Sequence, residues 1–258
     1  MKSYLKNELN YGQYKKGYQL ENSEGKSLFM YKSMTEEVDV KGNVLIVPTQ
    51  GMSIHTSFLM SSYLNHNGYN VYRFDGVNNV GYSDGTIYDY SVEQLEKDFT
   101  LVMDHILDEL DFINVLTFHS TLLPILGKAN NYSQIQNLIS VMDISTDFGL
   151  CGKIEWDKVS NYVDTYKQHI SIIVGEEDEG FNKHMDSIKS SINHIGQIYT
   201  IPDIGSNIGN SLIYILIVTE KIISILLERN EAVSIPNITD VLHAAELELE
   251  ILNQFNKK

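Results

Sequence analysis

Three places in the chain carry residue types that could do nucleophilic acyl chemistry. Asn114-Val115-Leu116-Thr117-Phe118 is a β-branched and apolar run, and His119-Ser120-Thr121 follows it before a helical stretch. A serine at such a strand-to-helix turn is in the position of a nucleophile; a serine there also serves as a helix cap. A later run, Ile170-Ser171-Ile172-Ile173-Val174, leads into Gly175-Glu176-Glu177-Asp178-Glu179-Gly180. An acid orienting a catalytic histidine would sit here, and Asp178 is the choice among neighbours that otherwise make a solvated turn. The third place is the loop after the last strand, Pro202 to Asn210, and it holds no histidine.

These residues need a scaffold that brings distant loops to one edge. Short apolar runs alternate with longer helical segments, the pattern of βαβ crossovers and a parallel sheet covered on both faces. Strands are expected at Val44–Val47, Asn70–Phe74, Asn114–Phe118, Leu138–Met142, Ile170–Val174 and Gln197–Ile201. Helices are expected at Thr56–Asn67, from Ser91 to about Leu110, at Gly209–Arg229 and at Thr239–Phe255. Gln94 stands three residues after Ser91, a capping-box spacing. Gly17–Glu21 and Ser27–Tyr31 flank a Ser23-Glu24-Gly25 turn and read as an antiparallel edge. The order serine, acid, last loop on such a sheet is that of the α/β-hydrolase fold. The expectation is one domain over residues 1–258, with a short lid-like insertion around 143–168 containing Phe148, Leu150, Trp156 and Tyr162.

Composition narrows the function. The chain has 258 residues, enough to bury a core without metal or disulfide. The formal net charge of −15 repels phosphate backbones, so nucleic acid is not an expected partner. An acidic carrier protein would need a local basic patch; Lys15-Lys16 and Lys257-Lys258 are the available pairs. Cys151 is the single cysteine, so no intrachain disulfide forms, and a cytoplasmic setting is expected. Met1 to Glu8 has no apolar signal core. Leu212 to Leu227 is interrupted by Glu220 and Lys221 and reads as a buried helix, not a membrane span. No His/Cys/Glu set has metal-ligand spacing and no glycine loop cradles phosphate, so no cofactor is expected.

Tyr72-Arg73-Phe74-Asp75 followed by Val80-Gly81-Tyr82-Ser83-Asp84-Gly85-Thr86-Ile87 resembles the LuxD-type acyltransferases of bacterial luminescence operons. Asn43 to Tyr63 and Asn237 to Gln254 are similar to that family's first core strand with its oxyanion loop and to its C-terminal helix. The resemblance spans roughly residues 40–258. It implies an α/β-hydrolase with a Ser-Asp-His triad that cleaves fatty acyl thioesters, mainly myristoyl, carried by acyl carrier protein or coenzyme A. Ser120 then matches the nucleophile. The amide of Thr121, with one from Gln50-Gly51-Met52, forms the oxyanion hole.

The chain departs from that pattern. Where the family has a histidine after a Gly-Ser pair, Gly205-Ser206 is followed by Asn207. An amide cannot take a proton from serine near pH 7. Phe118 and Leu122 flank the turn where small residues are favoured. His55, in the oxyanion loop, is the candidate substitute base; His119 adjoins Ser120 but points away in a strand alternation. Two readings follow: an acyl-thioester hydrolase or acyltransferase with a serine nucleophile, or an impaired relative that binds an acyl chain or a partner protein.

Overall fold

The computed structural model describes residues 5–10, 14–142, 166, 168–179, 182, 186, 189, 190, 192, 196–204, 212–227 and 232–255. Nine strands form one sheet: β1 (Leu5–Asn10), β2 (Lys15–Glu21), β3 (Ser27–Ser33), β4 (Gly42–Ile46), β5 (Tyr69–Asp75), β6 (Ile113–Phe118), β7 (Ile135–Met142), β8 (His169–Gly175) and β9 (Gly196–Ile201). Their spatial order is β1-β2-β3-β5-β4-β6-β7-β8-β9. The first three strands and the β3–β5 pair are antiparallel, and every pair from β5 through β4 to β9 is parallel. The expected strands and the antiparallel edge are all present. β1 is an additional edge strand that the sequence pattern did not announce.

The helices are α1 (Phe58–His66), α2 (Val92–Ile106), α3 (Leu122–Ala129), α4 (Leu212–Leu226) and α5 (Ile238–Phe255). Side chains alternate along each strand, so the sheet buries a different set on each side. Leu45, Tyr72, Val115 and Leu138 pack with Leu95, Phe99 and Val102 of α2 and Ile125 of α3. Val44, Val71, Leu116 and Ile139 pack on the other face with Leu64 of α1, Ile222 of α4 and Val241 of α5. Helices therefore cover both faces, and the architecture is that of an α/β-hydrolase. The Ser91 side chain caps α2, accepting from Gln94 N at 3.1 Å. Among the described residues no helix is long and apolar enough to cross a membrane.

The parallel strands all end at one edge. The loops after β4, β5, β6 and β8 meet there.

Candidate active site

The turn after β6 is closed by one side chain. Thr121 Oγ1 donates to Phe118 O at 2.7 Å and accepts from Phe118 N at 3.2 Å. Strand pairing with β7 persists through Phe118, opposite Val141. The chain must therefore reverse within His119–Thr121, a single turn of 3-10 helix. His119 absorbs the reversal with φ of +51°, a left-handed conformation. That conformation costs an L-residue about 1–2 kcal/mol, although histidine adopts it more often than most.

In a nucleophile elbow the reacting residue occupies the strained position. The left-handed residue of this turn is His119, one position before Ser120. Ser120 lies within the turn, at the C-terminal end of β6 as expected, but after the reversal. The amide following the strained residue is accordingly that of Ser120 rather than Thr121. Thr121 is the residue immediately before α3.

The loop after β4 starts beside the same strand, where Val47 N donates to Leu116 O at 2.9 Å. Gly51, with φ of +79°, donates its N–H to Asn79 Oδ1 at 2.8 Å. Met52 N donates to Thr49 O at 3.0 Å. Two of the amides considered for the oxyanion hole, those of Gly51 and Met52, thus already donate within the protein. Asn79 organises this stretch: its Nδ2 also donates to Thr49 O at 2.9 Å, and its Oδ1 accepts Val80 N at 2.9 Å.

His55, the expected substitute base, is drawn to another partner. Its Nε2 shares a hydrogen bond with Tyr82 Oη at 3.0 Å, and the two rings lie 5.5 Å apart. Burial pushes its pKa down, Arg73 adds to that, and Glu248 opposes it. The imidazole is therefore biased toward its neutral form, with one ring nitrogen engaged by a phenol.

The acid turn after β8 is sorted by burial. Glu176, Glu177 and Glu179 are exposed, as a solvated turn requires, whereas Asp178 is fully buried. Its N–H donates to Gly175 O at 3.2 Å and its carbonyl accepts Asn182 N at 3.0 Å. The turn is tied to β9 and the residues after it, since Glu176 N and Glu177 N donate to Ile201 O and Ile204 O. β7 separates β8 from β6, so Asp178 and the His119 turn lie two strands apart along the same edge. Asn207 and the lid residues Phe148, Leu150, Trp156 and Tyr162 lie outside the described residues.

A second cluster escaped the sequence reading as a site. Arg73, buried on β5, forms a two-pronged pair with Glu248 of α5 at 3.0 and 2.7 Å. It also donates to Ile54 O at 2.7 Å and lies 5.1 Å from the centre of the Tyr31 ring. Asp75 accepts Ile54 N and Tyr82 N, each at 2.8 Å. Asp98 of α2 accepts Val77 N and Gln94 Nε2, each at 2.7 Å. Burial raises both carboxyls, Asp75 to about 6 and Asp98 to about 7. The Arg-aromatic-Asp spacing was visible, but its partner Glu248 is 175 residues away. Among the described residues no group of three or more His, Cys, Asp or Glu could hold a metal ion.

The fold and this edge define an α/β-hydrolase-type protein. The sequence pattern of the acyl transferase family matches residues 18–211, and the chain belongs to that family, the LuxD type. No curated protein sequence matches it. Solved structures with the same fold include the esterase Est1E from Butyrivibrio proteoclasticus with ferulic acid bound. It is 18% identical with a TM-score of 0.61, covering 80% of this chain and 97% of that one. A serine hydrolase without lid from Xanthomonas campestris is 15% identical with a TM-score of 0.62, over 88% of this chain and 100% of that one. The esterase domain of a Rhodothermus marinus protein is 12% identical with a TM-score of 0.59, over 81% and 96%.

Proposed function

We propose that the protein transfers or hydrolyses fatty acyl groups presented as thioesters, on acyl carrier protein or coenzyme A. The observation that supports this most is the turn after β6. Ser120 follows the left-handed His119 in the short turn that leads from β6 into α3, the strand-to-helix place at which this fold carries its nucleophile. The hydroxyl of Ser120 would attack the thioester carbonyl while a base, for which His55 is the candidate, takes its proton and passes it to the departing thiolate. Water or another acceptor would then take the acyl group from the serine. Asp178, buried at the end of β8, is the acid proposed to orient the base.

A fluorophosphonate probe, read by peptide mass mapping, tests the serine directly. Labelling at Ser120, with acyl-thioester turnover lost in Ser120→Ala, is the expected result. Full turnover in Ser120→Ala removes the serine from the reaction, and His119→Ala then asks whether the residue at the strained position carries it.

A second reading is acyl binding without turnover. It is favoured by the histidine at the strained position and by the prior engagement of the Gly51 and Met52 amides. Under it, added myristate changes the fluorescence of Trp156, the single tryptophan, while acyl esters stay intact.

A further inference from the structure

Ile54 sits in the middle of the loop after β4 and is gripped at both ends of its own peptide units. Its N–H is taken by Asp75 Oδ1 and its carbonyl by the Arg73 guanidinium. The other oxygen of Asp75 takes Tyr82 N, in the loop after β5. One carboxylate thus joins two loops, using a different oxygen for each. The fit leaves no slack. Gly81, at φ of +124°, passes so close that an added Cβ would lie 2.1 Å from Asp75 Oδ2. Ser83 Oγ donates to the Asp75 carbonyl and accepts Phe29 N at 2.8 Å, which docks the second loop on β3.

The two-oxygen arrangement is matched by a carboxylate, which offers an acceptor to each N–H group. Two N–H groups face two acceptors, and Asp75 is fully buried, so water does not stand in for either. A protonated carboxyl turns one oxygen into a donor facing an N–H. A carboxamide does the same with its NH2.

We propose that Asp75 is a positioning residue for the acyl site, a clasp that ties the loop carrying Gly51, Met52 and His55 to the Gly81–Ser83 loop through its two carboxylate oxygens. The inference rests on the acyl-transfer reading of the site and concerns how its loop after β4 is held.

The charged groups facing the clasp come from several elements. Arg73 lies on the same strand, Glu248 reaches in from α5, His55 and Tyr82 come from the two loops, and Asp98 of α2 holds the adjoining Val77 amide. Burial raises the Asp75 pKa, while the two N–H donors and Arg73 lower it, and the balance is about 6. The carboxyl is therefore ionised at about pH 8, and the clasp is broken there by substitution rather than by acid.

The test combines turnover with amide hydrogen exchange at about pH 8, where the Asp75 carboxyl is ionised. Asp75→Asn should lose roughly 10–100-fold in kcat for myristoyl-coenzyme A, as a displaced loop costs, with less effect on KM. The segments 48–57 and 79–85 should exchange faster in that variant, because their amides have lost a partner. Unchanged kcat in Asp75→Asn overturns the proposal while acyl transfer stands. Absent wild-type turnover rejects acyl transfer instead, and exchange then decides the clasp: equal protection of both segments in wild type and Asp75→Asn overturns it.

Discussion

The loops after β4 and β5 are held by side chains from the sheet and from each other, backed by Glu248 of α5, whereas among the described hydrogen bonds the turn after β6 is closed by the Thr121 hydroxyl. In the first region Asn79 and Asp75 each fix more than one backbone group, Arg73 holds the Ile54 carbonyl, and Glu248 fixes Arg73. In the second, Thr121 bridges Phe118 and His119 absorbs the strain. The difference separates two ways of building a site edge. A loop network over-determined by distant partners fails collectively when one member is removed. A local turn fails only by the strain or the one contact that a substitution changes.

Removing Glu248 should have the largest effect. Glu248→Ala leaves the Arg73 guanidinium buried without its carboxylate, which costs about 3–5 kcal/mol in comparable buried pairs. Arg73→Met/Glu248→Leu should recover much of that loss, because it removes both charges together. Urea denaturation of the two variants measures the difference. Equal loss in both would mean that the stranded charge is not what the single variant suffers from.

A smaller effect is expected from pH. Asp98 has a folded pKa raised to about 7, so the folded state binds its proton more tightly than the unfolded chain does. Its stabilising contribution is therefore full below the unfolded carboxylate range and declines as pH rises toward about 7. The decline across that window is on the order of 2–4 kcal/mol. Asp75 adds a parallel decline that ends near 6. Asp98→Asn should flatten its share of the slope, read as the difference between variant and wild type in denaturation series from about pH 4 to 8. Parallel wild-type and variant curves would place the titration elsewhere.

The smallest effect belongs to the local turn. His119→Val puts a β-branched residue at a left-handed φ and should cost about 1–2 kcal/mol. His119→Gly, free of that strain but with more backbone entropy to lose, should stay within about 1 kcal/mol of wild type. If His119→Val were instead as damaging as Glu248→Ala, the turn would be part of a network like that of the neighbouring loops, and the contrast between the regions would fail.

Much of this was legible from short-range pattern. The alternation of apolar runs with amphipathic helices announced the parallel strands β4 to β9, and Ser91 with Gln94 announced the start of α2. The motif around Asp75 and Gly81 pointed to the acyl transferase family that the match over residues 18–211 establishes. Asp178 could be named among four acids, and burial then set it apart from its neighbours. The Arg73 partnership was not legible, because nothing near Arg73 in sequence indicates a carboxylate on the last helix.

The sequence by itself determined the order of the elements, the two buried faces and the loops that share the C-terminal edge. These follow from side-chain periodicities of 2 and 3.6, which a segment carries whatever its surroundings. Only the tertiary structure decided that His119 rather than Ser120 takes the left-handed turn, that Asn79 claims the Gly51 amide, and that His55 turns to Tyr82. Those outcomes depend on where strand pairing stops and on which distant groups arrive within hydrogen-bond reach. Both are set when separate segments pack against one another, so no local stretch of sequence contains them.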